Sequence, residues 1–318
     1  MSKLFITPAM LGAKKFCTRG YRRFCKLFPF GVEYQEALNG LVADGQPDWA
    51  IRLFRCFGAT DDIVELENFE GLAVVAAGHL RVAGCVRASV LVVAGGGIAV
   101  GGRIAARYSI EAGHAITAGA GITAGASITA GDSITAGQGI RAGTGIAAGT
   151  GIKAGYSIKA GDSIETGDSI EAGDSITAGG GIAANQSIDA GDSIKAGTGI
   201  EAGRDITAVD SIAAGTGIEA GRDITAGAGI AAGSGIEAGG GITAGDGIAA
   251  GTGIDAGDSI KAGCSIRGEW LSAGFRIFAG ICGCWLPSLE EQQIVCREIR
   301  AGTVAFGQLV LQPGQSDE

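Results

Sequence analysis

The 318-residue sequence is poor in proline, aromatic side chains and charge, and each shortage excludes a class of protein. Five prolines and the lack of a three-residue glycine period exclude collagen. Aromatic residues make up 6% of the chain, too few for the core of an ordinary globular domain. Charged residues are 18% and apolar residues 46%, which argues against a disordered linker. Glycine is abundant instead, with 59 residues, and so biased a composition favours a repeat.

An isoleucine falls at every sixth position from Ile98 to Ile266, 29 in all, in the hexad Gly-x-(Ser/Gly)-Ile-x-Ala. Because side chains alternate in a strand, each isoleucine shares a face with the alanine two positions later, and the residue between them points to solvent. Glycine marks the corner between strands. Asn185, which replaces one of these glycines, suits a left-handed backbone, whereas Val209 and Arg107 at the same position do not, so we expect that this conformation is not obligatory at every corner.

The hexads group in threes, since residues 197–214, 215–232 and 233–250 match one another at a period of 18. Eighteen residues with three corners predict a three-sided β-helix in which isoleucines stack about 4.8 Å apart, with about 11 coils from position 74 to position 266. The fold class is therefore mainly β, and its handedness stays open. We predict three parts: a small α-helical N-terminal cap (1–70), a hexapeptide-repeat β-helix (71–268) and a short β C-terminal cap (269–318).

The hexad resembles the repeats of bacterial hexapeptide-repeat proteins, many of which are left-handed β-helix acyltransferases. That family places glycine directly after the aliphatic residue, whereas here alanine comes before the glycine. The segment AGHLRVAGCVRASVLVVAGGGIAV (77–100) is similar to bactofilins, polymer-forming bacterial proteins with a right-handed triangular β-helix. The segment ITPAMLGAKKFCTRGYRRFCKLFPFGVEYQEAL (6–38) resembles a leader on uncharacterised repeat proteins of enterobacteria and their phages.

The N-terminal segment, 1–70, has the sequence pattern of short helices. Thr7 followed by Pro8 indicates a helix start, and Tyr34–Leu41 and Asp48–Phe57 predict further short helices, with Asp48 as a cap and Gly58 as a stop. The first helix either docks on a membrane surface or a partner, or covers the first β-coil with its aromatic face; we favour the covering role. Its cations and aromatic residues are Lys14, Lys15, Arg19, Arg22, Arg23 and Lys26, and Phe16, Tyr21, Phe24 and Phe28.

Residues 269–318 break the hexad and bring in aromatic side chains. GFRIFAGICGCW and GTVAFGQLVL predict strands, which form a second cap or, alternatively, an oligomerisation patch. Cysteines in and near this segment are candidate ligands for a four-thiolate metal site, but they lack the paired C-x-x-C of zinc ribbons. We favour buried apolar thiols, and predict no metal and no cofactor. The cysteines are Cys264, Cys282, Cys284 and Cys296.

The chain has two histidines, and one of them is a candidate catalytic residue. The resemblance to hexapeptide acyltransferases implies a histidine base, and His114 occupies an outward position in its hexad. However, no loop interrupts the coils to build a pocket for an acyl donor. We therefore predict that the chain is not an enzyme.

Every eighteenth residue lies on the same face, so the outward side chains sort onto three faces. Stacked carboxylates repel each other and cost stability. They either keep the protein soluble and unassociated, or attract a basic partner as a nucleic acid would. One face carries the carboxylates Glu201, Glu219, Glu237 and Asp255. A second face carries the cations Arg141, Lys159, Lys195 and Arg267, and the third carries Thr207, Thr225 and Thr243.

The formal charge of −9 is unevenly distributed, with 7 basic and 2 acidic residues in 1–40 but 10 basic and 18 acidic residues in 95–268. An acidic body disfavours direct binding to nucleic acid. The N-terminus lacks the apolar stretch of a secretory signal, and the cysteines form no compact disulfide framework, so we expect a cytoplasmic protein.

These observations predict a non-catalytic β-helical scaffold that is structural, self-assembling or protein-binding. The alternatives are an acidic decoy that inhibits a nucleic-acid-binding protein and, second, a hexapeptide-type acyltransferase. The expected partner is the protein itself, as a homo-oligomer or filament, or another protein. The basic first helix additionally suggests peripheral membrane contact.

Overall fold

The computed structural model describes residues 4–14, 16–281 and 287–313, which belong to two compact units, residues 1–149 and residues 150–318. Both units consist mainly of parallel strands wound as a solenoid with 18 residues per turn, about 14 turns counted over the chain. The predicted fold class is confirmed. The count exceeds the expected number of coils because strands outside positions 74 to 266 also join the turns.

In the first unit a strand begins at the aliphatic residue of almost every hexad and pairs in parallel with the strand one turn later. Ile104 lies beside Ile122 and Ala106 beside Ala124. The isoleucines and alanines are buried in the interior, while the middle residue of each strand points outward. The strands of these turns are β3 Ile63–Leu66, β4 Phe69–Gly71, β5 Val74–Ala76, β6 His79–Val82, β7 Val86–Ala88, β8 Val92–Ala94, β9 Ile98–Val100, β10 Ile104–Ala106, β11 Ile110–Ala112, β12 Ile116–Ala118, β13 Ile122–Ala124, β14 Ile128–Ala130, β15 Ile134–Ala136, β16 Ile140–Ala142 and β17 Ile146–Ala148.

The second unit continues the same hexad, and its last strands are longer. The described strands after residue 269 do not form a separate β element, because β38 pairs in parallel with β35 and β36, and β40 pairs with β38. The strands are β18 Ile152–Ala154, β19 Ile158–Ala160, β20 Ile164–Thr166, β21 Ile170–Ala172, β22 Ile176–Ala178, β23 Ile182–Ala184, β24 Ile188–Ala190, β25 Ile194–Ala196, β26 Ile200–Ala202, β27 Ile206–Ala208, β28 Ile212–Ala214, β29 Ile218–Ala220, β30 Ile224–Ala226, β31 Ile230–Ala232, β32 Ile236–Ala238, β33 Ile242–Ala244, β34 Ile248–Ala250, β35 Gly253–Ala256, β36 Ile260–Ala262, β37 Ile266–Arg267, β38 Trp270–Ala279, β39 Gln293–Cys296, β40 Glu298–Phe306 and β41 Gln308–Leu311.

The corner glycines serve close packing rather than a left-handed backbone. No glycine of the repeat between positions 98 and 266, all of which the structure describes, has a positive φ. Instead, a Cβ atom on Gly113 would lie 2.0 Å from the carbonyl oxygen of Gly95, one turn earlier. Where Asn185, Val209 and Arg107 replace this glycine, the amide-to-carbonyl distances to the previous turn are 3.4, 3.3 and 3.2 Å. The hydrogen bond between turns is therefore kept where the corner carries a side chain.

The helices are α1 Pro8–Ala13, α2 Thr18–Leu27, α3 Tyr34–Ala43 and α4 Pro47–Phe57, with a small antiparallel pair of strands, β1 Phe5–Ile6 and β2 Val32–Glu33. Thr7 caps α1 as predicted, and Gly58 ends α4 with φ of +82°. Three expectations are wrong. The predicted first helix is broken into α1 and α2, and Gln46 rather than Asp48 is the N-cap of α4. The predicted helical region to position 70 also extends too far, since it includes strands β3 and β4.

Within the part that the structure describes, no helix has the length and apolarity to cross a membrane.

Helices α3 and α4 pack on the first turn at strand β5. The apolar side chains of the helices form one buried cluster with Val75 and Val93, whose middle positions in β5 and β8 would otherwise face water. The side chain of Gln35 in α3 donates from Nε2 to the carbonyl oxygen of Val75 and accepts from the amide of Ala77, both at 2.8 Å. The Gln35 amide thus takes the place of a peptide unit from a preceding turn.

Candidate interaction face

Four carboxylates project from consecutive turns of the second unit, and we call them the acidic strip: Glu201, Glu219, Glu237 and Asp255. Their strands place Glu201 beside Glu219, Glu219 beside Glu237, and Glu237 beside Asp255, as the 18-residue period predicts. Neighbouring strands put these residues about 4.8 Å apart. The glutamates are exposed and Asp255 is half-buried. Among the described residues, none of the four forms an ion pair.

An open groove of about 570 Å³ runs beside the acidic strip. Thr198 and Thr216 contribute to its lining together with the carboxylates. The groove exists because the corners on this side read Gly-Gly-Gly, Gly-Thr-Gly or Gly-Ser-Gly, and their last glycines leave a column without side chains. The glycines of this column are Gly181, Gly199, Gly217, Gly235 and Gly253.

The indole of Trp270 lies at one end of the groove. It sits directly over Gly253, where a Cβ atom would come within 2.0 Å of the ring. The Arg300 guanidinium lies 4.1 Å from the ring centroid, a cation–π contact that holds the indole in place. Carboxylates, hydroxyls and one aromatic surface in a row suit an extended cationic chain, such as a basic peptide.

The other two faces of the second unit have a different chemistry. The threonine ladder is in register, with Thr207 beside Thr225 and Thr225 beside Thr243. On the remaining face, Lys159 and Lys195 both lie beside Thr177 between them, and further along Ala249 lies beside Arg267. In the first unit, Arg141 lies beside Thr123. Within the second unit, the predicted cations are therefore separated by uncharged residues rather than stacked.

One mixed ladder precedes the threonines. Lys153 and Glu171 form an ion pair, and Asp189 follows beside Glu171. Partial burial raises the pKa of Asp189, and the charges of Glu171 and Asp205 raise it further. A hydrogen bond from Thr207 acts in the opposite direction and lowers the pKa.

The two histidines of the chain lie together in the first unit. Their rings stack with a centroid distance of 6.0 Å, His79 Nδ1 accepts from the amide of Gly97 at 2.9 Å, and His114 Nδ1 lies 3.1 Å from an Asp132 carboxylate oxygen. His114 and Asp132 are exposed on the solenoid surface. A carboxylate orients an imidazole in this way in many acid–base sites, and a catalytic role for His114 stays a prediction.

The predicted basic first helix corresponds to α2 and its flanking residues, and its basic side chains have different surroundings. Arg23 forms an ion pair with Asp44 at the end of α3, and Lys14 lies 5.9 Å from the ring centroid of Phe57. The Asp44 carboxyl has a lowered pKa, mainly because it accepts hydrogen bonds from Arg23. Phe16 and Phe24 are buried in the helical cluster. The helices that pack on the first turn are α3 and α4, rather than the predicted first helix. The exposed cations are Lys14, Arg19, Arg22 and Lys26, while Lys15 lies outside the described residues.

The candidate metal ligands are only partly within the described chain, which excludes Cys282 and Cys284. Cys264 is half-buried, and Cys296 is buried beneath the last turn, where burial raises the pKa of its thiol. Among the described residues, no group of three or more histidine, cysteine or acidic side chains is arranged to hold a metal ion.

Sequence reasoning missed Trp270 as the end of the groove and Gln35 as the cover of the first turn. Trp270 had a detectable signal, since the step from Gly253 to Trp270 is one position short of a full turn, which shifts the phase of the repeat. The covered outer face at Val75 and Val93 could also have been predicted, because these apolar residues occupy the middle strand position that faces water in the other turns.

Comparison with known proteins finds one family and only for the helical part. The model of the YdhT N-terminal domain matches residues 1–56, which hold the four helices apart from the last residue of α4. No curated protein and no solved structure matches this chain.

Proposed function

We propose that this protein is a non-catalytic scaffold that acts through the outer faces and edges of its solenoid, by binding proteins or further copies of itself. The observation that supports the proposal is the regularity of the turns. From β18 to β33, every strand of the second unit has three residues, and each is followed by a three-residue corner. Such a surface offers long ladders of evenly spaced side chains, but no inserted loops to enclose a small substrate.

The experiment is a measurement of assembly and binding by the full chain. Sedimentation and light scattering across a concentration series, at low and high salt, would reveal self-association, and negative-stain microscopy would show its form. We expect association. A monodisperse monomer under all conditions, together with no protein ligand for any face, would contradict the scaffold role.

A second candidate function is that of an acidic decoy for a nucleic-acid-binding protein. The acidic strip beside an open groove favours it, because a row of carboxylates presents negative charge at intervals of about 4.8 Å to a basic partner. The proposed occupant of the groove is an extended basic segment of that partner, with cationic side chains along the strip.

Charge reversal with a matched control tests the decoy function. The variant Glu201→Lys/Glu219→Lys/Glu237→Lys should lose binding of a labelled oligoarginine peptide by at least about tenfold. The variant Thr207→Lys/Thr225→Lys/Thr243→Lys/Ala213→Lys/Ala231→Lys/Ala249→Lys places lysines at the middle strand positions of the other two faces. It makes the same change in net charge as the three charge reversals, and so controls for net charge. Equal losses in the two variants would show that only overall charge matters, and would exclude a specific strip.

A further inference from the structure

The last turn of the second unit ends in strands with one unpaired edge. β40 pairs with β38 and β41 pairs with β39, and no other strand of the described chain lies beside them. The free N–H and C=O groups of an edge strand form a template for another strand. This edge is therefore competent for pairing.

The interior of the solenoid is also open at this turn. Val304 lies beside Ile277, and Leu309 beside Ile294. Ile277 and Ile294 are fully buried, whereas Leu309 is 41% exposed, since no turn of the described chain lies over it. Leu311, beside the buried Cys296, is likewise 59% exposed. Phe306 lies beside Phe278 at an outward position of the same edge and is 49% exposed. The edge thus presents Leu309 and Leu311, which one more turn of the same kind would bury.

The first turn of the first unit is protected in two ways that the last turn is not. The Gln35 side chain already occupies the backbone groups of β5. Strands β3 and β4 and their flanks carry Asp61, Asp62, Glu65, Glu67 and Glu70. Charged side chains on edge strands oppose pairing with another strand. By contrast, β40 and β41 carry only Glu298 and Arg300, which are hydrogen-bonded to each other at 3.4 Å.

We propose that strands β40 and β41 form an interface between two copies of this chain, each contributing the same edge. The proposal rests on the scaffold function, and names its partner. A second copy fits because the edge has no net charge, so two identical edges meet without repulsion, and because its apolar residues continue the interior of the other copy. The first turn cannot serve as the second half of this contact, since α3 occupies the place where a turn would pair with β5. Association through this edge therefore stops at a dimer.

Light scattering of the full chain at rising concentration tests the proposal. The chain has a mass of 31.5 kDa, so the associated species should have twice that mass, and hydrogen exchange of residues 298–311 should slow as this species forms. The variant Phe306→Lys/Leu309→Lys/Leu311→Lys should stay a monomer, because it brings like charges together across the contact. These side chains are already exposed in one copy, so the variant should fold. The variant Thr225→Lys/Ala231→Lys/Thr243→Lys adds the same charge at exposed positions away from the edge, and should still dimerise.

The possible outcomes separate this proposal from the scaffold function. Assemblies larger than a dimer, or a dimer that persists in the edge variant, would overturn the edge contact and leave the scaffold function standing. A monomer whose residues 298–311 exchange slowly at every concentration would show that the chain covers its own edge, and would also overturn the proposal. Loss of dimer in both lysine variants would point to net charge rather than the edge, and would overturn it as well.

Discussion

A Cβ atom on Gly221 would lie 2.2 Å from the carbonyl oxygen of Gly203, one turn earlier in the solenoid. The same turn contains Gly217, where the nearest atom to an added Cβ is 3.6 Å away, an ordinary contact. The two glycines are thus unequal although they look alike in the sequence. Close stacking of turns needs the first, whereas the second only leaves the groove open.

Alanine substitutions should separate these two roles. We expect Gly221→Ala to lower the free energy of unfolding by about 1–3 kcal/mol, because the backbone must shift to relieve the overlap. Gly217→Ala should change it by less than about 0.5 kcal/mol. Urea unfolding followed by circular dichroism measures both. Equal effects would mean that the spacing between turns does not set the requirement for glycine.

The cover that Gln35 provides for the first turn gives a second prediction. Gln35→Ala leaves the carbonyl of Val75 and the amide of Ala77 without their partner, and we expect a loss of about 1–3 kcal/mol in the stability of this region. Hydrogen exchange of residues 71–80 should quicken more than that of residues 98–148. Gln35→Glu is the matched control: it keeps the acceptor for Ala77 but cannot donate to Val75, so its effect should be intermediate. Unchanged exchange in both variants would show that the amide is not a cover.

The repeat was predictable from sequence because one physical rule fixes each position. Ile104 and its equivalents must be buried aliphatic residues, their alanines must fit beside them, and a period of 18 leaves one way to stack three strands per turn. The reason for the corner glycine was not predictable, because a close approach between Gly221 and Gly203 depends on the distance between turns rather than on local preference.

The ends of the chain were less predictable, since their structure depends on contacts between distant residues. Gln35 is far from Val75 in the sequence, and nothing in its own helix marks it as a backbone mimic. The acidic strip was predictable as a ladder from the positions of Glu201, Glu219 and Glu237. The groove beside it was not, because its end is closed by Trp270, where the repeat loses one residue.

The partly buried Asp189 predicts a dependence of stability on pH. Its folded-state pKa is raised, chiefly by burial, so the folded protein holds the proton to higher pH than the unfolded chain does. The stability associated with the protonated carboxyl is present below the unfolded pKa of about 3.9, and is lost as pH rises through the folded pKa.

Asp189→Asn should therefore raise the unfolding temperature at pH 7, and this gain should vanish near pH 3. Asp162→Asn removes the same charge from an exposed corner and serves as the control. A gain at pH 7 that persists unchanged in acid would refute the assignment to ionisation.

The acidic strip should cost stability, and this cost bears on its purpose. Glu219 lies between Glu201 and Glu237, so Glu219→Lys replaces two repulsive neighbours with two attractive ones. We expect a gain of about 0.5–1.5 kcal/mol at low salt that shrinks as salt screens the charges. Thr225→Lys, flanked by Thr207 and Thr243 in the same turns, should gain nothing comparable. Denaturation midpoints across a salt series measure both. If Glu219→Lys is more stable and also binds oligoarginine more weakly, the acidic strip is kept for binding at the expense of the stability of the fold. If Glu219→Lys is no more stable than Thr225→Lys, the carboxylates are too well solvated to repel one another, and the argument that the strip is kept for binding at a cost in stability fails.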